Sequence, residues 1–196
     1  MICYRTLTIA VLYIMSPKVI FLSAKRRAGK DTLADYMQNR YGFIKVAFAD
    51  QLKNEVAEKM SINRNEFDDD TLKELKPNGS NYTRRQLLQQ YGGSKRREDE
   101  TYFVRKAVEQ INRHLANGRN VVVSDARFPG ELEAKGIQTP EITKIRIHRP
   151  QRERLFGTDT DISEMALDDY PSFDKHITNE EDKISGMFEQ LDAILS

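Results

Sequence analysis

The chain has 196 residues, a length that suits one domain able to bury roughly 70% of the surface its unfolded form exposes. Its 39% hydrophobic and 31% charged residues exclude a disordered chain and a membrane-spanning bundle, and 31 basic against 30 acidic side chains exclude a global field for nucleic acid. A single Cys3 and three scattered histidines, His114, His148 and His176, exclude a disulfide framework and argue against zinc.

Ile9 to Met15 is an apolar run too short to span a membrane and without a small-residue cleavage site. Met15 stands directly before Ser16-Pro17-Lys18 and the first convincing strand. Residues 1–17 are therefore read as a tail apart from the functional chain, and 18–196 as the working domain.

Val19 to Ser23 is continuously apolar and β-branched, the pattern of a strand buried on both faces of a parallel sheet. A basic, glycine-containing turn follows, then a helical pattern through Leu33, Ala34, Met37 and Tyr41. Phe43 to Phe48 predicts a second strand, with Asp50 capping a helix through Leu52, Val56 and Met60. Ser61 to Asn81 turns polar and reads as loop. Helical pattern resumes at Arg84 to Tyr91, breaks at Gly92-Gly93, and returns from Phe103 to Leu115, ending at Gly118. Asn120 to Asp125 and Lys144 to His148 predict the third and fourth strands, with room between them for one short helix from Gly130 to Gly136. Arg149 to Phe173 is polar and without a core stripe, His176 to Asn179 predicts a fifth strand, and Ile184 to Leu195 a closing helix. Strands alternating with helices imply an α/β fold: a three-layer sandwich around a parallel sheet of about five strands.

The turn after the first strand reads Ala24-Lys25-Arg26-Arg27-Ala28-Gly29-Lys30-Asp31-Thr32. A loop that cradles a polyphosphate needs converging backbone N–H groups, the positive end of a helix, and a lysine that reaches the terminal phosphates. Gly29 and Lys30 meet the last two needs. Against the pattern G-x-x-x-x-G-K-[ST], Ala24 replaces the first glycine and Asp31 the hydroxyl residue that normally meets Mg²⁺. Thr32 suits an α- or β-phosphate, while Asp31 suits Mg²⁺ directly or through water. The competing reading is a basic helix start whose Lys25, Arg26, Arg27 and Lys30 are simply solvated.

Asp125 and Arg127 stand at the carboxyl edge of the third strand, where open parallel sheets bind ligands. They read as a Mg²⁺-orienting carboxylate and a phosphate clamp, or as a structural pair closing the turn before Pro129. Arg149, Arg152 and Arg154 follow the fourth strand. In a phosphotransferase a segment from about 149 to 173 would act as a lid that brings arginines over the phosphates and excludes water.

Together these residues resemble phage-type deoxynucleoside monophosphate kinases, P-loop proteins of the nucleoside monophosphate kinase superfamily, from Lys18 to the C-terminus. The resemblance rests on Gly29-Lys30-Asp31-Thr32, Phe48-Ala49-Asp50-Gln51-Leu52-Lys53, Leu88-Gln89-Gln90-Tyr91-Gly92, Ser124-Asp125-Ala126-Arg127-Phe128, Ser163-Glu164 and His176-Ile177-Thr178-Asn179, in that order. Ala24 and Gln51 depart from it, standing where glycine and proline are common. It implies transfer of the ATP γ-phosphoryl group to the 5′-phosphate of a deoxynucleotide, with Mg²⁺ held by Asp31 and Asp125 partly through water. Lys30, Arg127, Arg149 and Arg152 become the catalytic candidates, and Ala28, Gly29, Lys30, Asp31 and Thr32 the ATP-binding loop. Asp50, Arg84, Arg85, Gln89 and Arg127 become acceptor candidates within an insert at about 50–100. The expected partners are small-molecule nucleotides, without a stable nucleic-acid complex or a membrane, and a homodimer is left open. The expected place is the cytoplasm, that of the host if the protein is viral.

Two other readings compete. Phosphomevalonate kinases of animal type carry a similar Gly-Lys-Asp loop and would take a different phosphorylated acceptor. A non-catalytic nucleotide- or nucleic-acid-binding module would instead use the basic patch Lys95-Arg96-Arg97.

Overall fold

A computed structural model describes residues 16–151, 162–180 and 183–196. Residues 1–15, which make up most of the expected tail, and Arg152 with Arg154 lie outside the described residues.

Strand β1, Val19–Ala24, is buried at every position because it has a neighbour on both sides and a layer of helices on both faces. It pairs in parallel with β3, Val121–Val123, and on its other side with β4, Ile142–His148. β2, Ile44–Val46, lies outside β3, and β5, Lys175–Thr178, outside β4, so the all-parallel order is β2-β3-β1-β4-β5. The expected α/β sandwich is thus the observed fold. Alternation along β1 sends Ile20 and Leu22 to one face and Val19 and Phe21 to the other. The first face packs on α1, Lys30–Tyr41, through Leu33, Ala34 and Met37, and on α7, Ile184–Leu195, through Met187 and Leu191. The second packs on α2, Phe48–Met60, through Phe48, and on α4, Tyr102–Ala116, through Ala107, Ile111 and Leu115.

Between α2 and α4 come two 3₁₀ turns, Arg64–Phe67 and Leu72–Glu74, and helix α3, Arg84–Glu98. This insert has its own small core of Val56, Ala57 and Phe67, flanked by Leu52, Leu87, Leu88 and Tyr91. Two short helices, α5 (Pro129–Leu132) and α6 (Ile162–Met165), complete the described elements. No helix among the described residues is long and apolar enough to cross a membrane.

Four local expectations are corrected. The helix does not break at Gly92-Gly93: α3 runs through both, and Gly92 is buried where an added Cβ would lie 3.2 Å from Leu52 Cδ2. The glycine serves close helix packing against α2, which offsets the roughly 1 kcal/mol it costs inside a helix. Second, Phe48 belongs to α2 rather than to β2, and Asp50 supports the helix start from its third position by accepting the Ala47 N–H (3.2 Å). Third, the second half of segment 149–173 does reach the core, through buried Leu167 and the partly buried Tyr170 and Phe173. Finally, β4 begins at Ile142, two residues before the expected start.

Candidate functional site

The strand order changes direction at β1, whose two neighbours β3 and β4 leave on opposite sides, and ligands bind in the crevice outside the strand ends at such a point. The loop from Lys25 to Gly29 opens there. Two of its residues adopt left-handed backbone, Arg27 at φ 62° and Gly29 at φ 102°. Gly29 caps α1, and its carbonyl accepts the Leu33 N–H (3.0 Å). Arg149, just past β4, donates to the Arg27 carbonyl (3.1 Å) and so braces the strained residue.

Asn179, buried at the end of β5, braces the same loop from beneath. Its Nδ2 donates to the Ala28 carbonyl (2.8 Å) and its backbone N–H to the His148 carbonyl (2.8 Å). A Cβ on Gly29 would come within 2.6 Å of Asn179 Nδ2, so this contact and the positive φ both demand glycine. In the sequence Asn179 stands out only as the end of the stretch His176-Ile177-Thr178-Asn179, which by itself points to no role.

A cavity of about 620 Å³ wraps this loop, lined by Ala28, Gly29, Lys30, Asp31, Thr32 and Arg149. A second, of about 470 Å³, shares Lys30 and Asp31 with the first and continues over Asp50, Arg85, Asp125 and Arg127. Lys45, Lys53 and Lys73 add three cations to it; only Lys53 lies in a stretch that carries the resemblance, and none has a site role legible in the sequence. Each is paired with carboxylates: Lys45 with Asp31 (3.4 Å) and Asp35 (2.9 Å), Lys53 with Asp68 (2.8 Å), and Lys73 with Asp70 (3.3 Å). Asp50 pairs with Arg64 (2.9 Å) and Arg85 with Glu74 (2.6 Å). Apart from Lys73 and Asp70, three residues apart, no sequence spacing announces these pairs, since the partners lie ten or more residues apart.

Two acceptor candidates stand elsewhere. Arg84 is buried, with its guanidinium committed to the Leu72 and Leu75 carbonyls (3.2 and 3.1 Å) and to Glu66, and so locks the insert. Gln89 is exposed on α3 and does not line the second cavity.

Asp125 accepts the backbone N–H groups of Phe48 (2.7 Å) and Ala49 (2.9 Å), one on each oxygen. It thereby anchors the start of α2 to the end of β3, a favourable place for a carboxylate at a helix N-terminus. Glu131 does the corresponding work for the next turn. One of its oxygens accepts the N–H groups of Arg127 (2.7 Å) and Phe128 (3.1 Å), fixing the backbone that carries Arg127. Pro129 with a glutamate two residues on is a helix-start signature from which Glu131 could have been found. Burial, with Asp125 nearby, raises the Glu131 carboxyl to about 7. Burial also lowers the Lys30 ammonium from its ordinary value; Arg127 lowers it further, while Asp31, Asp125 and Glu164 oppose the shift. An anion delivered to this spot relieves an unfavourable charge.

Among the described residues no three carboxylate, imidazole or thiol groups gather to hold a metal by themselves. Asp31 and Asp125 both face Lys30 closely enough to influence it. One or two carboxylates beside a phosphate site fit Mg²⁺, which keeps waters and binds largely through substrate oxygens.

Residues 22–138, more than half of the chain, match the family model described as phosphomevalonate kinase. Among solved structures, the dephospho-CoA kinase from Campylobacter jejuni shares 16% identity at a TM-score of 0.51, with 90% of this chain and 95% of that one covered. The protein TT1252 from Thermus thermophilus also shares 16% identity, at a TM-score of 0.52, over 91% of this chain and 96% of that one. At such identities these two likenesses speak for the fold alone. The comparisons reach the P-loop kinases but do not single out the deoxynucleoside monophosphate kinases of phage type. With its phosphate loop, its parallel sheet and the family match, the chain belongs to the phosphomevalonate kinase family, within the P-loop kinases.

Proposed function

We propose that the protein transfers the γ-phosphoryl group of ATP to the 5′-phosphate of a deoxynucleoside monophosphate. One observation carries the reading: Lys30 and Asp31 line both cavities, so a phosphate on the loop and an anion in the cation-rich cavity would meet end to end across Lys30. Phosphoryl transfer asks a protein mainly for such positioning and for charge stabilisation, without a covalent intermediate. Lys30 would hold the transferring group from the loop side and Arg127 from the β3 side. Arg149 would close the donor side, together with Arg152. Arg85 and Asp50 would face the acceptor. Asp31, and Asp125 through water, would hold Mg²⁺, which when bound neutralises charge developing between the phosphates. The ordered motifs from Lys18 to the C-terminus support a deoxynucleotide acceptor.

The family match over 22–138 favours a second reading with the same chemistry, in which the acceptor is phosphomevalonate or another phosphorylated small molecule. ADP release, coupled to an indicator reaction, should be measured with each deoxy- and ribonucleoside monophosphate and with phosphomevalonate. Turnover with a deoxynucleotide supports the first reading. Turnover with phosphomevalonate alone replaces it with the second. Polyanion binding that weakens steeply with salt, without turnover on any acceptor, would point to a non-catalytic module.

A further inference from the structure

The donor loop is gripped by two carboxylates that the reading above does not use. Glu164, in α6, accepts the Arg26 N–H on Oε2 (2.7 Å) and pairs through Oε1 with Arg127. Its side chain is only 8% exposed, so its charge is committed to these partners rather than to solvent. Asp168, four residues on, pairs with Lys25 (2.7 Å) in the same loop and with Arg146 (3.1 Å), which in turn donates to Ser23 of β1 (2.9 Å). Between them Leu167 is buried in the core. Asp168 and Leu167 lie in the turn that follows α6, and one apolar anchor and two carboxylates thus fix the segment against the loop.

We propose that Glu164 is a positioning residue for phosphoryl transfer: it ties the Arg127 guanidinium to the backbone of the phosphate loop and so holds it where the two cavities join. The proposal rests on the reading that Arg127 serves the transferring phosphate. Arg127 has a long side chain whose backbone is fixed by Glu131, but whose guanidinium needs a partner of its own to keep one orientation. Glu164 supplies that partner from a different element, and one carboxylate thereby sets the distance between the post-β3 turn and the loop. Groups that act in the transition state gain most from being held in place beforehand.

Glu164→Gln keeps the shape but leaves one acceptor oxygen for two donors. Its kcat should fall about tenfold or more while KM for ATP stays within about twofold, and in an Arg127→Ala background it should cost nothing further. Full kcat in the single variant, tighter ATP binding, or an undiminished loss in the Arg127→Ala background would overturn the proposal. A merely structural role would lower the melting temperature and turnover in both backgrounds alike. Side-chain ¹⁵N spectra give a readout independent of turnover. The Arg127 Nε–H signal, identified by its loss in Arg127→Lys, should be ordered in the wild type and averaged in Glu164→Gln. An ordered signal in both overturns the proposal. A wild type that turns over no phosphorylated acceptor overturns the parent reading and leaves these spectra to judge this one.

Discussion

The two cavities that meet at Lys30 are built by different means. The proposed donor side is a backbone structure: two left-handed residues, a helix N-terminus and a buried asparagine holding a carbonyl. The proposed acceptor side is a side-chain structure, whose cations come from β2, α2, a 3₁₀ turn and α3, held there by exposed carboxylates, and from the post-β3 turn, where the buried Glu164 holds Arg127. A backbone cradle tolerates little change because its shape is its function. Ion pairs at a half-exposed surface are worth about 0–1 kcal/mol each and can be exchanged cheaply. On the proposed reading, the contrast teaches that donor chemistry is built into the fold, while acceptor choice is carried by replaceable groups.

Lys30→Ala, at the junction, should strike both sides at once. Turnover should fall by about a hundredfold to a thousandfold with every acceptor, because a transition-state contact is lost. Steady-state rates and thermal melts check this, and an unchanged kcat would remove Lys30 from the phosphate site.

Glu131 tests whether the turn behind the acceptor cavity carries an electrostatic cost. Its carboxyl titrates at about 7 when folded, against 4.5 ordinarily, so between those values the folded state binds more protons than the unfolded. Its contribution to stability therefore falls as pH rises through that window. Glu131→Gln removes this slope, and relative to wild type it should gain up to about 3 kcal/mol between pH 4.5 and 7.5. Denaturant titrations at both pH values measure it, and parallel pH profiles for the two proteins would sink the idea.

Gly29→Ala probes the cradle alone. A side chain at φ 102° and 2.6 Å from Asn179 should cost on the order of 1–3 kcal/mol and weaken ATP binding. Adding Asn179→Ala should relieve the clash but not the backbone strain. Calorimetric titration with ATP separates these contributions, and full affinity in the single variant would refute the cradle's role.

Arg85→Ala is the acceptor-side counterpart. It should raise the acceptor KM about tenfold, as expected for losing a charged contact, and leave ATP affinity alone. Equal changes in both constants would erase the distinction between the cavities. The smallest effect is expected at Asp31, exposed beside Lys45. Asp31→Asn should raise the Mg²⁺ requirement a few-fold, with activity restored at high Mg²⁺; an unchanged Mg²⁺ profile would leave it only a helix-start charge worth about 0.3–1 kcal/mol.

The sequence by itself determined the five strands, the α/β class and the phosphate loop, because each is written in consecutive residues. Apolar runs such as Val19 to Ser23 and Val121 to Val123 leave no other way to be buried, and Gly29-Lys30 between strand and helix is a local signal. Even so, local patterning misjudged Gly92-Gly93, since whether a glycine breaks a helix or lets another helix approach depends on what lies opposite. Arg84 and Arg85, adjacent in sequence, looked equivalent. The tertiary structure turned Arg84 inward to lock the insert and left Arg85 at the cavity, because neighbouring helical residues lie about 100° apart around the axis. Only the assembled fold could bring Asn179 beneath Ala28, 151 residues away, or Glu164 to Arg127, 37 residues away. Such contacts are set by strand order and helix packing, and no spacing along the chain encodes them.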